Sequence, residues 1–268
     1  MMRKSVWKIN GIPKRQKYIF VKKISEIGLD NRNFSFLADS IKIDIINTIE
    51  YCAVSADIAK ILDIIVGREN EFFHSDEMRY AMTIKSAKVR HGFYAGRYCI
   101  KYLFLTQQSL PFSFPSVNVI SRNSSGQGIR PFLSVNGKVA DCGISITHSD
   151  MAVFVMLTKS GINPGCDIVP LGSITKKVCK HLFNAKEQAL CKLDSYNADK
   201  IWAIKETSYK AGNKGQAFSP KHWHVEQKND DWECSSSIPE IGDVFFVQTF
   251  LHENHAIAVT VKSVKSSS

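Results

Sequence analysis

The chain has 268 residues, 44% of them hydrophobic and 22% charged, so it can bury a substantial core as one large domain or two of roughly 130 residues each. Its formal net charge is +10, a field that favours an acidic or polyanionic partner and says nothing of fold. There is no run of about 18 apolar residues and no continuous apolar stretch in "MMRKSVWKINGIPKRQ". A membrane span or a secretory leader is therefore not expected, and a cytoplasmic location is.

Basic residues crowd the start, where Arg3, Lys4, Lys8, Lys14, Arg15, Lys17, Lys22 and Lys23 all precede the first acidic residue, Glu26. That segment reads as a solvated, partly mobile arm, with a specific nucleic-acid or membrane contact as the alternative. The cysteines (Cys52, Cys99, Cys142, Cys166, Cys179, Cys191 and Cys234) are odd in number and never spaced Cys-x-x-Cys, which argues for reduced core thiols rather than a disulfide framework or zinc site. A nucleic-acid-binding module would rest on charge alone, without a zinc knuckle, helix-turn-helix or RNP-like strand.

An internal duplication organises the rest. "FHSDE" (Phe73 to Glu77) is followed, sixteen residues after its Glu, by "FYAGRYCIK" (Phe93 to Lys101). "FNAKE" (Phe183 to Glu187) is followed, after fifteen, by "WAIKETSYK" (Trp202 to Lys210). Aligned on the aromatic residue, Arg97 stands opposite Glu206 and Lys101 opposite Lys210. "THSDMAVFVML" from Thr147 and "LHENHAIAVTV" from Leu251 repeat a His, two polar residues and an apolar alternation. Each half is expected to be helices followed by a hairpin.

Between the copies, "LTKSGINPGCDIV" (Leu157 to Val169) carries Gly161, Asn163, Pro164 and Gly165, turn residues that place the junction of halves 1–158 and 159–268 here. Asp167 follows in a short strand. On a helix, "WAIKETSYKAGNKGQ" puts Lys205, Glu206 and Lys210 within little more than one turn. Such a cluster is often only a solvated salt bridge. If Glu206 faces the junction with Asp167 opposite, the two carboxylates can instead share a hard cation such as Mg²⁺, leaving Lys205 and Lys210 for substrate phosphates.

At these residues the chain resembles the 4′-phosphopantetheinyl transferase superfamily. "GCDIV" (Gly165 to Val169), "FNAKE" and "WAIKETSYKAGNKG" (Trp202 to Gly215) resemble its G-x-D-I-x, F-x-x-x-E and W-x-x-K-E-x-x-x-K-x-x-G-K-G motifs in order. "AGRYCIK" (Ala95 to Lys101), "RPFLSVNGK" (Arg130 to Lys138) and "SITHSDMAV" (Ser145 to Val153) look like the coenzyme-handling segments of the two-domain, surfactin-synthetase-activating type. The resemblance spans roughly Glu71 to Lys262, leaving the first seventy residues unmatched.

It implies an α+β fold of two similar, pseudo-twofold-related halves, each a small antiparallel sheet packed with helices, with the active site at their interface and a monomer overall. The implied reaction moves phosphopantetheine from coenzyme A to a serine of an acyl or peptidyl carrier protein in fatty acid, polyketide or nonribosomal peptide biosynthesis. Carried over, Asp167 and Glu206 hold Mg²⁺, with Mn²⁺ as a substitute. Asp167, Glu206 and Lys210 are catalytic; Arg97, Lys138, Thr147, His148, Lys205 and Lys210 bind coenzyme A. Glu187 reads as structural or as a neighbour of the metal ligands. Val169 stands where many two-domain members have a third carboxylate, so a catalytically weak, carrier-binding relative is the alternative. Asn213 replaces a glycine whose left-handed conformation an asparagine tolerates.

Overall fold

The structure is a computed structural model that describes residues 51–107, 113–229 and 231–264, with the backbone alone of 9–10, 20–22 and 44–47. The expected basic arm lies, apart from those short stretches, outside the described residues. The described residues fall into two compact units that divide between Pro164 and Gly165, the second running from Gly165 to Lys262.

In the first unit, β1 (Ile9–Asn10) aside, the strands are β2 (Phe20–Lys22), β3 (Asp44–Asn47) and β4 (Tyr51–Asp57). Helices α1 (Ile58–Ile65), α2 (Glu69–Phe72), α3 (Ser75–Thr83) and α4 (Ala87–Gln107) come next. Strands β5 (Val117–Arg122), β6 (Gly128–Val135), β7 (Lys138–Val139), β8 (Cys142–His148) and β9 (Ala152–Lys159) complete it. One sheet runs β2-β3-β4-β9-β8, all antiparallel, and β5-β6-β7 form a second. Asp57 ends β4 and starts α1 by accepting from the Ala59 amide at 2.8 Å. Ile58, Ile61 and Ile65 then fall on one buried stripe. The long α4 lies on β4, β8 and β9, and two glycines let it come close. A Cβ at Gly96 would stand 2.7 Å from Ile146, and one at Gly92 2.5 Å from the His148 ring.

The second unit holds β10 (Ile162–Pro170, whose first residues belong to the first unit), α5 (Lys176–Leu182), α6 (Ala185–Leu190) and α7 (Asn197–Gly212). Strands β11 (Trp223–Lys228), β12 (Asp231–Ser236), β13 (Val244–His252) and β14 (His255–Ser263) follow. The sheet order is β10-β14-β13-β12-β11, with β1 beside β13. Helix α7 packs on β11, β12 and β13 over a core that includes Ile201, Ile204, Ala211, Trp223, Trp232 and Phe245.

Both expected hairpins are present. Strands β8 and β9 turn through Ser149–Met151; β13 and β14 turn through Glu253–Asn254, with Glu253 at φ 51° and His252 opposite His255. Together they give the α+β class with small antiparallel sheets. The reading of Asn163, Pro164 and Gly165 as turn residues is corrected: β10 runs unbroken through them, and the turn is confined to Ser160–Gly161. All cysteines are free thiols, and no described helix is long and apolar enough to cross a membrane.

Candidate active site

Gly165, Asp167 and Val169 alternate onto one face of β10, the face that meets α7. The glycine is a steric requirement of that meeting, since a Cβ there would stand 2.0 Å from the Thr207 carbonyl oxygen and 3.0 Å from Ala211. Two residues on, the same face brings the Asp167 carboxylate against α7. There Lys210 donates to Asp167 Oδ1 at 2.8 Å and to the Cys166 carbonyl oxygen at 3.1 Å. Glu206, one turn earlier, places Oε2 at 3.6 Å from the same ammonium. Asp167, Glu206 and Lys210 thus form one cluster. Both carboxylates belong to the Gly165–Lys262 unit, so the expectation that they come from opposite sides of a junction is corrected: one is on β10, the other on the helix laid across it.

The cluster is partly open. The Asp167 side chain is 6% exposed, while Glu206 and Lys210 are 28% and 25% exposed. Burial, and then the nearby Asp167 charge, raise the Glu206 carboxyl above the usual glutamate range, against the pull of Lys210 and of the Trp202 indole. Burial works against the Lys210 ammonium, but Asp167 and Glu206 outweigh it and hold its pKa above the usual lysine value. Two converging carboxylates already hold one cation between them. Hard oxygen donors of this kind fit a divalent ion such as Mg²⁺, which takes one or two protein carboxylates and fills its remaining positions with water and phosphate. Among the described residues, no three of His, Cys, Asp and Glu are grouped for a metal.

Lys205 is not part of this cluster. Its side chain is 1% exposed, paired with Glu187 Oε1 at 2.8 Å, and it also donates to the carbonyl oxygens of Pro220 and Trp223. The assignment of Lys205 to phosphate is therefore corrected: one residue along a helix turns a side chain by about 100°, which carries Lys205 inward while Glu206 faces the cluster. Glu187 is structural, as expected. It closes the capping box of α6 by accepting from the Asn184 amide at 2.9 Å, and also accepts from the Val225 amide at 2.8 Å.

The first unit repeats this knot. Glu77 accepts from the His74 amide at 2.9 Å, from the Val119 amide at 3.0 Å and from the buried Lys101 ammonium. Lys101 also donates to the carbonyl oxygens of Phe72 and Phe114. Each lysine lies over the phenylalanine that precedes the capping box, Phe73 at 5.5 Å and Phe183 at 5.3 Å. The duplication therefore matches Lys101 with Lys205, and the alignment of Lys101 with Lys210 is corrected. In the true register Tyr102 stands for Glu206 and Thr106 for Lys210, so only the second copy carries the cluster.

Arg97 is also corrected as a coenzyme ligand. Its guanidinium is buried over the Phe93 ring at 3.4 Å, bonded to Ser121 Oγ at 3.0 Å and 3.6 Å from Glu77. Burial brings its pKa down to about 10. Lys138 is exposed at the β6–β7 turn. Thr147 is buried, and His148, the next residue, is exposed with its ring against Gly92.

Val169 packs in the same core as Phe183, Ile201 and Ile204. Asn213 is not left-handed: its φ is −58°, and the positive φ, 105°, belongs to Gly215, whose amide donates to Asn213 Oδ1 at 2.7 Å. Asp199 was not singled out from the sequence. Buried on the first turn of α7, it accepts from the Gly172 amide at 2.8 Å and the Ile174 amide at 3.0 Å, tying down the loop that leaves β10. Its position one helical turn before Ala203, on the apolar face, was the available signal.

Comparison with known proteins yields no match among curated proteins. Similar solved structures include the Helicobacter pylori holo-[acyl-carrier-protein] synthase in complex with coenzyme A (22% identity, 36% of this chain and 96% of that one, TM-score 0.32). Another is the Bacillus anthracis holo-(acyl-carrier-protein) synthase in complex with CoA (3′,5′-ADP) (18% identity, 42% and 96%, TM-score 0.33). The family model of the 4′-phosphopantetheinyl transferase superfamily matches residues 163–260. That stretch holds β10, α7 and the Asp167–Glu206–Lys210 cluster, and over it the chain is similar to the 4′-phosphopantetheinyl transferase superfamily.

Proposed function

We propose that the chain transfers the 4′-phosphopantetheine arm of coenzyme A to a serine hydroxyl of an acyl or peptidyl carrier protein, with Mg²⁺ or Mn²⁺ held by Asp167 and Glu206, as a two-domain member of its superfamily. The observation that carries the reading is the convergence of Asp167 and Glu206 on one cation beside a partly open surface. A bound divalent ion supplies neutralisation of the pyrophosphate charge as the bond breaks. The serine oxygen forms the new bond to phosphorus, the old pyrophosphate P–O bond breaks, and 3′,5′-adenosine bisphosphate leaves.

The serine proton passes to Glu206 or to a water beside it. A carboxylate whose pKa is raised by burial and a like charge is a stronger base than a solvated one. Lys210, held charged by its two acidic neighbours, faces the leaving phosphate as a point charge. Lys138 and His148 remain the proposed coenzyme contacts of the first unit, with Thr147 behind His148. Arg97 and Lys205 act structurally. Mass spectrometry of an apo carrier protein incubated with the chain, coenzyme A and Mg²⁺ tests the reading. A gain of the phosphopantetheine mass is expected; binding of the carrier without that gain favours the inactive, carrier-binding alternative, for which Val169 speaks.

A further inference from the structure

Glu206 is held from a direction that neither Asp167 nor Lys210 supplies. One turn earlier on α7, the Trp202 indole Nε1–H donates to Glu206 Oε1 at 2.8 Å. The indole is itself braced: Phe218 meets it edge-on at 6.1 Å and packs on Tyr209 at 5.1 Å. The Tyr209 hydroxyl donates to the Gln216 carbonyl oxygen at 2.9 Å, which fixes the loop that carries Phe218. One carboxylate oxygen of Glu206 is therefore engaged by a wedged ring, and the other, Oε2, is the one turned to Lys210.

We propose that Trp202 is a positioning residue, whose indole N–H fixes the Glu206 carboxylate so that Oε2 is presented to the cation the site takes. This rests on the reading of Asp167 and Glu206 as metal ligands. A free glutamate side chain samples many rotamers and loses that freedom when it takes a ligand; one already held has given it up in advance. Partners of this kind behind metal ligands typically govern affinity about 10-fold or more.

The test is Trp202→Phe in the full chain, which keeps an aromatic ring against Phe218 and removes the N–H. Mn²⁺ binding is followed by electron paramagnetic resonance of the free ion, with thermal unfolding measured on the same samples. The expected result is a Kd for Mn²⁺ raised about 10-fold, with KM for coenzyme A unchanged. In a Glu206→Gln background the same substitution is expected to add nothing, a comparison that holds even if the ring change lowers the unfolding midpoint. Unchanged Mn²⁺ affinity in Trp202→Phe, or an equal loss in the Glu206→Gln background, overturns the proposal. Absence of Mn²⁺ binding by the parent protein overturns the metal reading on which it rests.

Discussion

Two adjacent residues, Lys205 and Glu206, face different sides of α7 and so divide between structure and chemistry. The buried Lys205–Glu187 pair is fully hydrogen-bonded, and removing either partner leaves an uncompensated buried charge. Lys205→Met and Glu187→Leu are each expected to destabilise the fold by about 3–5 kcal/mol, and the double variant by clearly less than their sum; denaturant titration of the four proteins measures this. Val169→Glu is likewise expected to cost about 3–5 kcal/mol, with the Mg²⁺ requirement for transfer unchanged, because the side chain packs in the core. A lower Mg²⁺ requirement would show instead that the new carboxylate reaches the metal. Glu206 and Lys210 were legible in the sequence because their spacing fits one helix turn, whereas Asp167 was reached through a junction argument that the fold corrects and through the motif it resembles. Lys205 was misread because proximity along the chain ignores the rotation per residue, and Arg97 because a buried guanidinium and a surface one look alike in a sequence.

At the scale of elements, the site depends on α7 lying directly on β10. Gly165 permits that contact, so Gly165→Ala is expected to destabilise the protein by about 3 kcal/mol and to depress transfer activity well beyond the loss of folded protein, by shifting Lys210 from Asp167. Wild-type turnover by the folded fraction would show that the close approach is dispensable. The hairpins at Thr147 and Leu251 were readable from apolar alternation after a polar turn. The β10 segment was not: Asn, Pro and Gly signal a turn by local preference, whereas here tertiary contact with a helix selects the glycine. The repeat was visible, but its register was not, because the buried Glu–Lys knot that defines it also depends on amides of Val119 and Val225 brought in by the strands.

At the scale of the whole molecule, the +10 charge exceeds what the phosphates of one coenzyme could use. Helix α5 exposes Lys176, Lys177, Lys180 and His181 just beyond the loop that Asp199 anchors after the Asp167 strand. An acidic carrier protein would be drawn there by forces screened beyond about 8 Å at physiological salt. Added NaCl, or Lys176→Glu with Lys180→Glu, should therefore raise KM for the carrier more than KM for coenzyme A; an equal effect on both would assign the charge to another partner. Asp167 and Glu206 are proposed to carry the transfer together. The decisive variants are Asp167→Asn and Glu206→Gln, each keeping side-chain shape while removing an anionic ligand, in the carrier-modification assay at fixed Mg²⁺. Transfer is expected to fall at least about 100-fold in each, in protein that still unfolds cooperatively, with Asp167→Asn lowering the midpoint because Lys210 loses its closest partner. Near-parental turnover in either variant would contradict that proposal.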